Sequence, residues 1–231
     1  MFSIIIPTYN EADQIATTLS NVYAASEDHV IEIIVVDGGS SDETLHIADQ
    51  HGAITFSIER KGRAAQMNKG ASVAKGETLY FLHADSIPPQ EFITQIKNAH
   101  NDGATSGCFR LAFDYDHWFL KANSWFTRFN VNAVRFGDQS LFVTKEVFEK
   151  SGGFREDLLL MEDQEIIHRL KKHGKFKVLN DVVTTSARKY IDNGVYRMQW
   201  IFYRIWDLYY LGFSQERLLK LHRRLIRKHK L

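Results

Sequence analysis

Short apolar runs, each closed by a turn or a polar residue, alternate with stretches of mixed polarity along the first hundred positions. Phe2-Ser3-Ile4-Ile5-Ile6 predicts a strand stopped by Pro7, after which Asn10 is placed to cap a helix with Asp13 in the reciprocal capping-box position. Ile31 to Val36 predicts a second strand. Gly38-Gly39-Ser40-Ser41 then turns the chain, and Ser40 with Glu43 forms a second capping box for a helix to about Gln50. Ala53 to Ile58 predicts the third strand, followed by a helix opened by Gly62 and ending near Gly76. Thr78 to Leu82 is the fourth, and Pro88-Pro89 starts a helix through about Asn101.

Apolar strands separated by helices of this length predict an α/β fold whose parallel sheet is covered on both faces. Ligands of such sheets sit beyond the carboxyl ends of the strands, near a switch in strand order. The polar segments at those ends are therefore the candidate site: Thr8 to Glu11, Asp37 to Ser41 and His83 to Asp85. The second half is less periodic. Gly103 to Phe113 reads as a strand region, Trp118 to Phe136 as aromatic-rich and helical, Gln139 to Val143 as a short strand and Lys145 to Lys150 as a short helix. Met161-Glu162-Asp163-Gln164-Glu165 enters a helix for which Gly174 supplies the C-cap.

With 231 residues, 44% hydrophobic and 25% charged, the chain has the make-up of one large globular unit, and disorder is disfavoured. A net charge of +1 argues against a general nucleic-acid coat. One cysteine, Cys108, rules out an internal disulfide framework and fits a reducing, cytoplasmic compartment. MFSIIIPTYNEAD carries neither the charged nor the long apolar region of a signal peptide, and no segment approaches the roughly 20 apolar residues of a spanning helix.

Four constellations carry candidate chemistry, each with a plain structural reading beside it. Asp37, at the end of the second strand, is placed to accept hydrogen bonds from a base or ribose, or simply to belong to a capped βα turn. Arg63 and Lys61 beside Gly62 could neutralise a diphosphate, with Gln66 and Asn68 reading polar groups, or form a solvated basic helix start. His83 and Asp85 stand two apart, which in an extended strand points both to one side. Asp85 there could hold a hard divalent ion against a diphosphate, with His83 as a softer ligand or a nucleotide contact, or Asp85 or Ser86 could cap the next helix. Glu162-Asp163 could supply a general base, or favour a helix N-terminus for reasons of the dipole alone.

Taken in order, strand–PTYNEA, strand–VVDGGSSDET, GRAAQMNKG, strand–FLHAD, GGF and MEDQE resemble the family-2 glycosyltransferases of the GT-A fold, over Ser3 to about Tyr190. That resemblance implies a GT-A domain over residues 1–190, with 191–231 as basic amphipathic helices packed on it. It implies an inverting sugar transfer from a nucleotide-diphosphate sugar to an acceptor hydroxyl, assisted by Mg²⁺ or Mn²⁺; the alternative is a non-catalytic nucleotide-sugar-binding protein on the same fold. Pro7, Thr8, Tyr9 and Glu11 would line the nucleotide pocket with His83 and Ala84, and Asp37 would contact the base. Asp85 matches the last acid of the family's Asp-x-Asp metal motif, with His83 where the first acid normally stands. Glu162-Asp163 matches the acid pair before a helix, which makes Asp163 the base. The polysaccharide-synthase motif Gln-x-x-Arg-Trp is absent. More narrowly, HAD with Phe136-Gly137-Asp138-Gln139 and Thr185-Ser186-Ala187-Arg188-Lys189-Tyr190 is similar to a small subgroup, the radical-SAM/selenodomain-associated transferases, some assigned to arsenosugar synthesis. By position, Asp138 and Gln139 would face the acceptor and Arg188 the donor phosphates, or Arg188 would make a structural salt bridge.

The tail adds a further expectation. Leu218, Leu221 and Leu225 recur at helical spacing, broadened by Leu219 and Ile226 and surrounded by Lys220, Arg223, Arg224 and Arg227. Such a helix could lie peripherally on anionic lipid and meet a lipid-linked acceptor, or pack on the domain or on a second subunit of a homodimer.

Overall fold

A computed structural model of the chain describes residues 1–26, 29–59, 62–135 and 137–227. Lys61, Phe136 and the last four residues of the basic tail lie outside them. One eight-stranded sheet organises the molecule. Strands β1 (Phe2–Thr8), β2 (Ile31–Asp37), β3 (Ile54–Ser57) and β4 (Thr78–Phe81) are parallel, with β1 between β2 and β4. The chain thus steps outward from β1 to β3 and returns to the other side of β1, so the order switches between β1 and β4. Beyond β4 lie β7 (Leu141–Thr144), β6 (Ala104–Phe113), β8 (Lys175–Thr185) and the two-residue β5 (Ser86–Ile87), giving the order β3-β2-β1-β4-β7-β6-β8-β5. β7 runs antiparallel to both β4 and β6, and β5 antiparallel to β8, while β6 and β8 are parallel.

The apolar runs explain this frame. Ile4, Ile5 and Ile6 are fully buried because alternate side chains of a central strand enter opposite layers. Ile4 and Ile6 pack with α1 (Ala12–Ser26) and α4 (Phe92–Asn101), and Ile5 with α3 (Arg63–Val73), α6 (Lys145–Lys150) and α7 (Glu162–Leu170). Burying each such side chain contributes roughly 1.5–3 kcal/mol. Gly70 lets α3 approach closely, since a Cβ there would collide with Ile5 Cγ2. Helix α2 (Thr44–Gln50) covers the β2–β3 edge. A third apolar layer joins α5 (Trp118–Trp125), α8 (Arg188–Asn193), α9 (Val195–Tyr210) and α10 (Gln215–Leu225) through Leu120, Leu160, Tyr190, Met198, Ile201, Ile205 and Leu218.

Several local expectations are corrected. Pro7 lies inside β1, opposite Val36; pairing with β4 has already ended at Ile5, so the missing N–H falls where that ladder has stopped. Neither capping box forms. Asn10 has a φ of 53° and accepts from the Ser41 N–H, while Ser40 Oγ donates to Asp37, so these side chains tie two loops together instead of capping their own helices. Pro88-Pro89 precede α4 by a short turn, and Ser86 bonds Thr185 instead of acting as a cap. The aromatic segment that opens at Trp118 is helical only over α5 and two 3-10 turns, Phe126–Arg128 and Asn132–Val134. α7 ends at Leu170, not at Gly174, whose missing side chain makes room for Thr105.

On α10 Leu218 and His222 are buried against the domain, as is Ile226 just beyond it, while Leu219, Leu221 and Leu225 are half-buried. Among the described residues no helix is long and apolar enough to cross a membrane. Because Leu218 is fully enclosed, Leu218→Ala is expected to lower unfolding free energy by about 2–4 kcal/mol in urea denaturation; a change under ~0.5 kcal/mol would mean that the tail is not part of the cooperative unit.

Candidate active site

The carboxyl ends of β1 and β4 open beside the N-terminus of α7 and the start of α8. There, two linked sets of charged side chains meet. In the first, Arg63 stands at the first position of α3 after Gly62. Its Nη2 lies 2.8 Å from Glu162 Oε1 and 3.7 Å from Asp163 Oδ2, and its Nη1 3.5 Å from His83 Nε2. His83 Nδ1 pairs with Asp138 Oδ1 at 2.9 Å. In the second set, Arg188 donates to both carboxylate oxygens of Glu11 at 2.5 Å and to Asp85 Oδ2 at 3.2 Å. Pairing of Ser86 with Thr185, and a bond from Ser186 N–H to the Asp85 carbonyl, bring α8 to the end of β4.

His83 and Asp85 do not share a direction. β4 stops at Phe81 and Ala84-Asp85 form a turn, so the alternation of an extended strand no longer applies. Each residue joins a different set.

The two acids that open α7 differ in exposure. Met161, at φ 71°, turns the chain so that Glu162 and Asp163 enter the first helical turn. Glu162 is 1% exposed. Burial raises its pKa to about 7, against the opposing pull of Arg63, while neighbouring Asp163 adds to the rise. The Asp163 side chain is 17% exposed and lines a cavity of about 160 Å³, together with Arg63, Asp85, Asp138 and Lys189. A Cβ on Gly137 would collide with Asp163 Oδ2, so this glycine leaves room for the acid. Burial works against ionisation of Asp138, but the His83 hydrogen bond and the charges of His83, Lys189 and Arg63 hold it well below the usual carboxylate range. For His83, burial alone would lower the pKa; the bond to Asp138 and the nearby carboxylates outweigh both burial and Arg63, and the net direction is up. Burial raises Glu11 despite its Arg188 partner.

Other expected site residues serve the frame. Asp37 is 1% exposed and spends its carboxylate on Thr8 Oγ1, the Gly39 and Ser40 N–H groups and the Ser40 hydroxyl. It sits at the same rim as the other acids but does not line the cavity. Gln66 donates to the Thr8 and Val36 carbonyls, pinning β1 to β2. Asn68 is held by Phe154 and Glu156. Gln139 is buried and donates to the Phe109 carbonyl, beside Cys108, whose thiol burial pushes up to about 11. All three amides bond protein groups here, which ties the strands and loops around the opening together. Thr8, Pro7 and Ala84 are buried as well, and Tyr9 is exposed at the rim. Sequence reasoning missed Lys189, Gln199, Trp206 and His222, all of which line the cavity; in sequence, the last two look like ordinary members of amphipathic helices.

Asp85, Asp138 and Asp163 line the cavity, and among the described residues no group of three His, Cys, Asp or Glu side chains is set to hold a metal ion. A hard ion such as Mg²⁺ needs only one or two carboxylates when phosphate oxygens complete its shell, and Asp85 fits that requirement.

The curled, mostly parallel sheet with its flanking helices defines the GT-A fold, and solved structures of that class superimpose on it. The TarS 1–349 chain of S. aureus, in complex with UDP-GlcNAc, covers 97% of this chain and is itself covered to 71%, with a TM-score of 0.67 at 15% identity. The mannosyltransferase PcManGT of Pyrobaculum calidifontis, in complex with GDP-Man and Mn²⁺, has a TM-score of 0.69 at 20% identity, over 88% of this chain and 61% of its own. The family pattern described as Glycosyl transferase family 2 matches residues 3–159, more than half of the sequence, and the chain belongs to that family. Among curated relatives, the glycosyltransferase AglE of Haloferax volcanii is 37% identical over 101 residues, 39% of this chain and 32% of its own length. The chain thus spans about a third of that relative. Glu162 and Asp163 lie just past the matched segment.

The raised Glu162 gives a pH signature. The native state keeps a proton that the unfolded chain releases near 4.5, so this group's contribution to stability falls as pH rises from 4.5 to about 7. Glu162→Gln is expected to flatten the loss of melting temperature over that interval, measured by thermal denaturation in matched buffers; an unchanged slope would show that Glu162 ionises normally.

Proposed function

We propose that the protein transfers a sugar from a nucleoside-diphosphate sugar to an acceptor hydroxyl with inversion at the anomeric carbon. The observation that carries this reading is Asp163, a partly exposed carboxylate 3.7 Å from Arg63 on the wall of a cavity that Asp85 also lines. In this reading Asp163 accepts the proton of the attacking hydroxyl. The acceptor oxygen forms a bond to the anomeric carbon as the bond from that carbon to the phosphate oxygen breaks, and the electron pair leaves with the nucleoside diphosphate. Attack opposite the leaving group gives inversion in a single displacement.

Arg63, Arg188 and Lys189 offset the negative charge of the leaving diphosphate. Asp85 would hold a divalent ion, Mg²⁺ or Mn²⁺, which when bound supplies further charge to the diphosphate. Glu11 shares Arg188 with Asp85, so donor phosphates that attract this guanidinium compete with two carboxylates for it. His83 stands where a second metal-binding acid would, held between Asp138 and Arg63. The solved neighbours hold GDP-Man and UDP-GlcNAc, which supports a nucleotide-sugar donor here. The narrower likeness to the radical-SAM-associated subgroup rests on HAD, Gly137-Asp138-Gln139 and the segment Thr185 to Tyr190, and we infer membership on those segments alone.

Asp163→Asn is expected to lower turnover by about 10²–10⁴-fold while nucleoside-diphosphate binding persists; turnover within a few-fold of the parent would remove Asp163 from the role of base. In calorimetric titrations, Mn²⁺ alone is expected to give little heat and Mn²⁺ with UDP or GDP a clear binding isotherm, which Asp85→Ala abolishes. Equal Mn²⁺ responses with and without nucleotide would contradict a site completed by phosphate.

A further inference from the structure

Three of the chain's four tryptophans are exposed, and all three lie on two adjoining helices. Trp118 and Trp125, seven residues apart, share one side of α5, and Tyr196, Trp200 and Tyr203 share one side of α9. Trp118 and Trp200 are 66% and 54% exposed. The two stripes touch. Ring centroids of Phe119 and Tyr196 are 5.0 Å apart, those of Trp118 and Tyr196 6.4 Å, and the Tyr203 hydroxyl donates to Asn123 Oδ1 at 2.9 Å. Past the end of α5, exposed Phe126 and Phe129 each meet the Trp125 ring with centroids 5.2 Å apart. The same helices bury Leu120, Met198, Ile201 and Ile205, so the exposed rings form a second apolar face that the fold does not cover. A contiguous patch of this kind marks a contact surface.

Cations are interleaved with the rings. Lys121 lies between Trp118 and Trp125, Arg128 stacks on Trp125 at 4.3 Å, and Arg204 follows Trp200 by one turn. Of the nearby acids, Asp116 pairs with Lys121 at 2.7 Å and Asp207 closes the α9 stripe. Helix α10, packed on α9, adds exposed Arg217, Lys220, Arg223 and Arg224. From residue 195 to residue 227 seven Arg and Lys outnumber two acids, on a chain whose net charge is only +1. Rings with a polar edge, set among long cationic side chains, suit the boundary of a bilayer: the rings enter between headgroups and the cations meet lipid phosphates. Contacts between proteins favour the same rings. In a two-fold dimer, however, the patch would meet its own copy and bring like charges together.

We propose that the joined α5–α9 face docks this protein on the headgroup layer of a bilayer that contains anionic lipid. The contact stands on exposed rings and cations and is independent of the transferase reading. Asn123, Phe202 and Trp206 of the same two helices line the cavity, so docking surface and site share a scaffold.

The test uses the full chain with vesicles of phosphatidylcholine alone or of equal parts phosphatidylcholine and phosphatidylglycerol, read by cosedimentation and tryptophan emission. Binding to the mixed vesicles with a blue shift of emission is expected, and concentrated salt is expected to weaken it. Trp118→Ser combined with Trp200→Ser is expected to weaken binding about 10-fold or more. Arg128→Glu with Arg204→Glu is expected to cost about 10-fold on the mixed vesicles and little on phosphatidylcholine alone. Val30→Ser, at an exposed position outside the patch, is expected to change nothing. No binding to the mixed vesicles, or binding unmoved by the paired tryptophan substitutions, would overturn the proposal. A dimer in light scattering that dissociates in the tryptophan variant, with no vesicle binding by either protein, would give the face to a second copy instead. All the substituted side chains are exposed, so each variant is expected to melt with the parent; if the tryptophan pair does not, Trp125→Ser with Phe126→Ser decides in its place. Melting-temperature shifts with UDP and GDP report the donor site. Their absence would count against the transferase reading and leave the vesicle result standing.

Discussion

One guanidinium joins the two halves of the chain where they meet. Arg63 projects from the start of α3 and is approached by Glu162 and Asp163 from α7 and by His83 from the end of β4. Glu162, almost wholly buried, keeps its proton to about pH 7, and Arg63 bonds it while standing 3.7 Å from Asp163, so one cation serves both acids at the start of α7. The position of α7 in turn fixes where Asp163 faces the cavity and obliges residue 137 to be small. Arg188 plays the matching part on the other side, spanning Glu11 from the β1–α1 loop and Asp85 from the turn after β4.

Charge in the opening is nearly self-compensating. Each acid that faces it has a cationic or imidazole neighbour, so an anionic ligand does not enter a bare positive pocket; it exchanges partners with groups already paired. Such exchange costs less than desolvating isolated charges, and it couples ligand binding to the relative placement of β1, β4, α7 and α8. The site thus draws on segments from Glu11 to Arg188, and no short stretch of the chain contains it.

Much of the frame was legible because burial on both faces leaves an unmistakable mark: Ile4-Ile5-Ile6 and Ile33-Ile34-Val35-Val36 have nowhere to go but a central sheet. The ends of the predicted elements pointed to Asp85, Arg63 and Asp163, which the fold brings to one rim. Polar residues beside them were harder to read, since sequence does not show whether an amide faces backbone or solvent. Gln66, Asn68 and Gln139 look like ligand contacts in sequence, and the bonds they make to β2, the Phe154 loop and β6 appear only in the fold. The expected helix caps failed for a related reason. Asn10 and Ser40 are some thirty positions apart, and their mutual loop contacts outcompete local capping that a single segment would favour. His222 was unreadable because a histidine among leucines and arginines on an amphipathic helix gives no sign of which way it points.

Cys108 closes the structure in a different sense. It is the chain's sole thiol, sits in β6 without exposure, and is kept protonated by its surroundings. Electrophilic labels need a thiolate they can reach, and the native fold offers none. Any cysteine introduced at a solvent-facing position therefore becomes a unique attachment point, allowing a fluorophore or spin probe to report on the rim without first stripping the wild-type background.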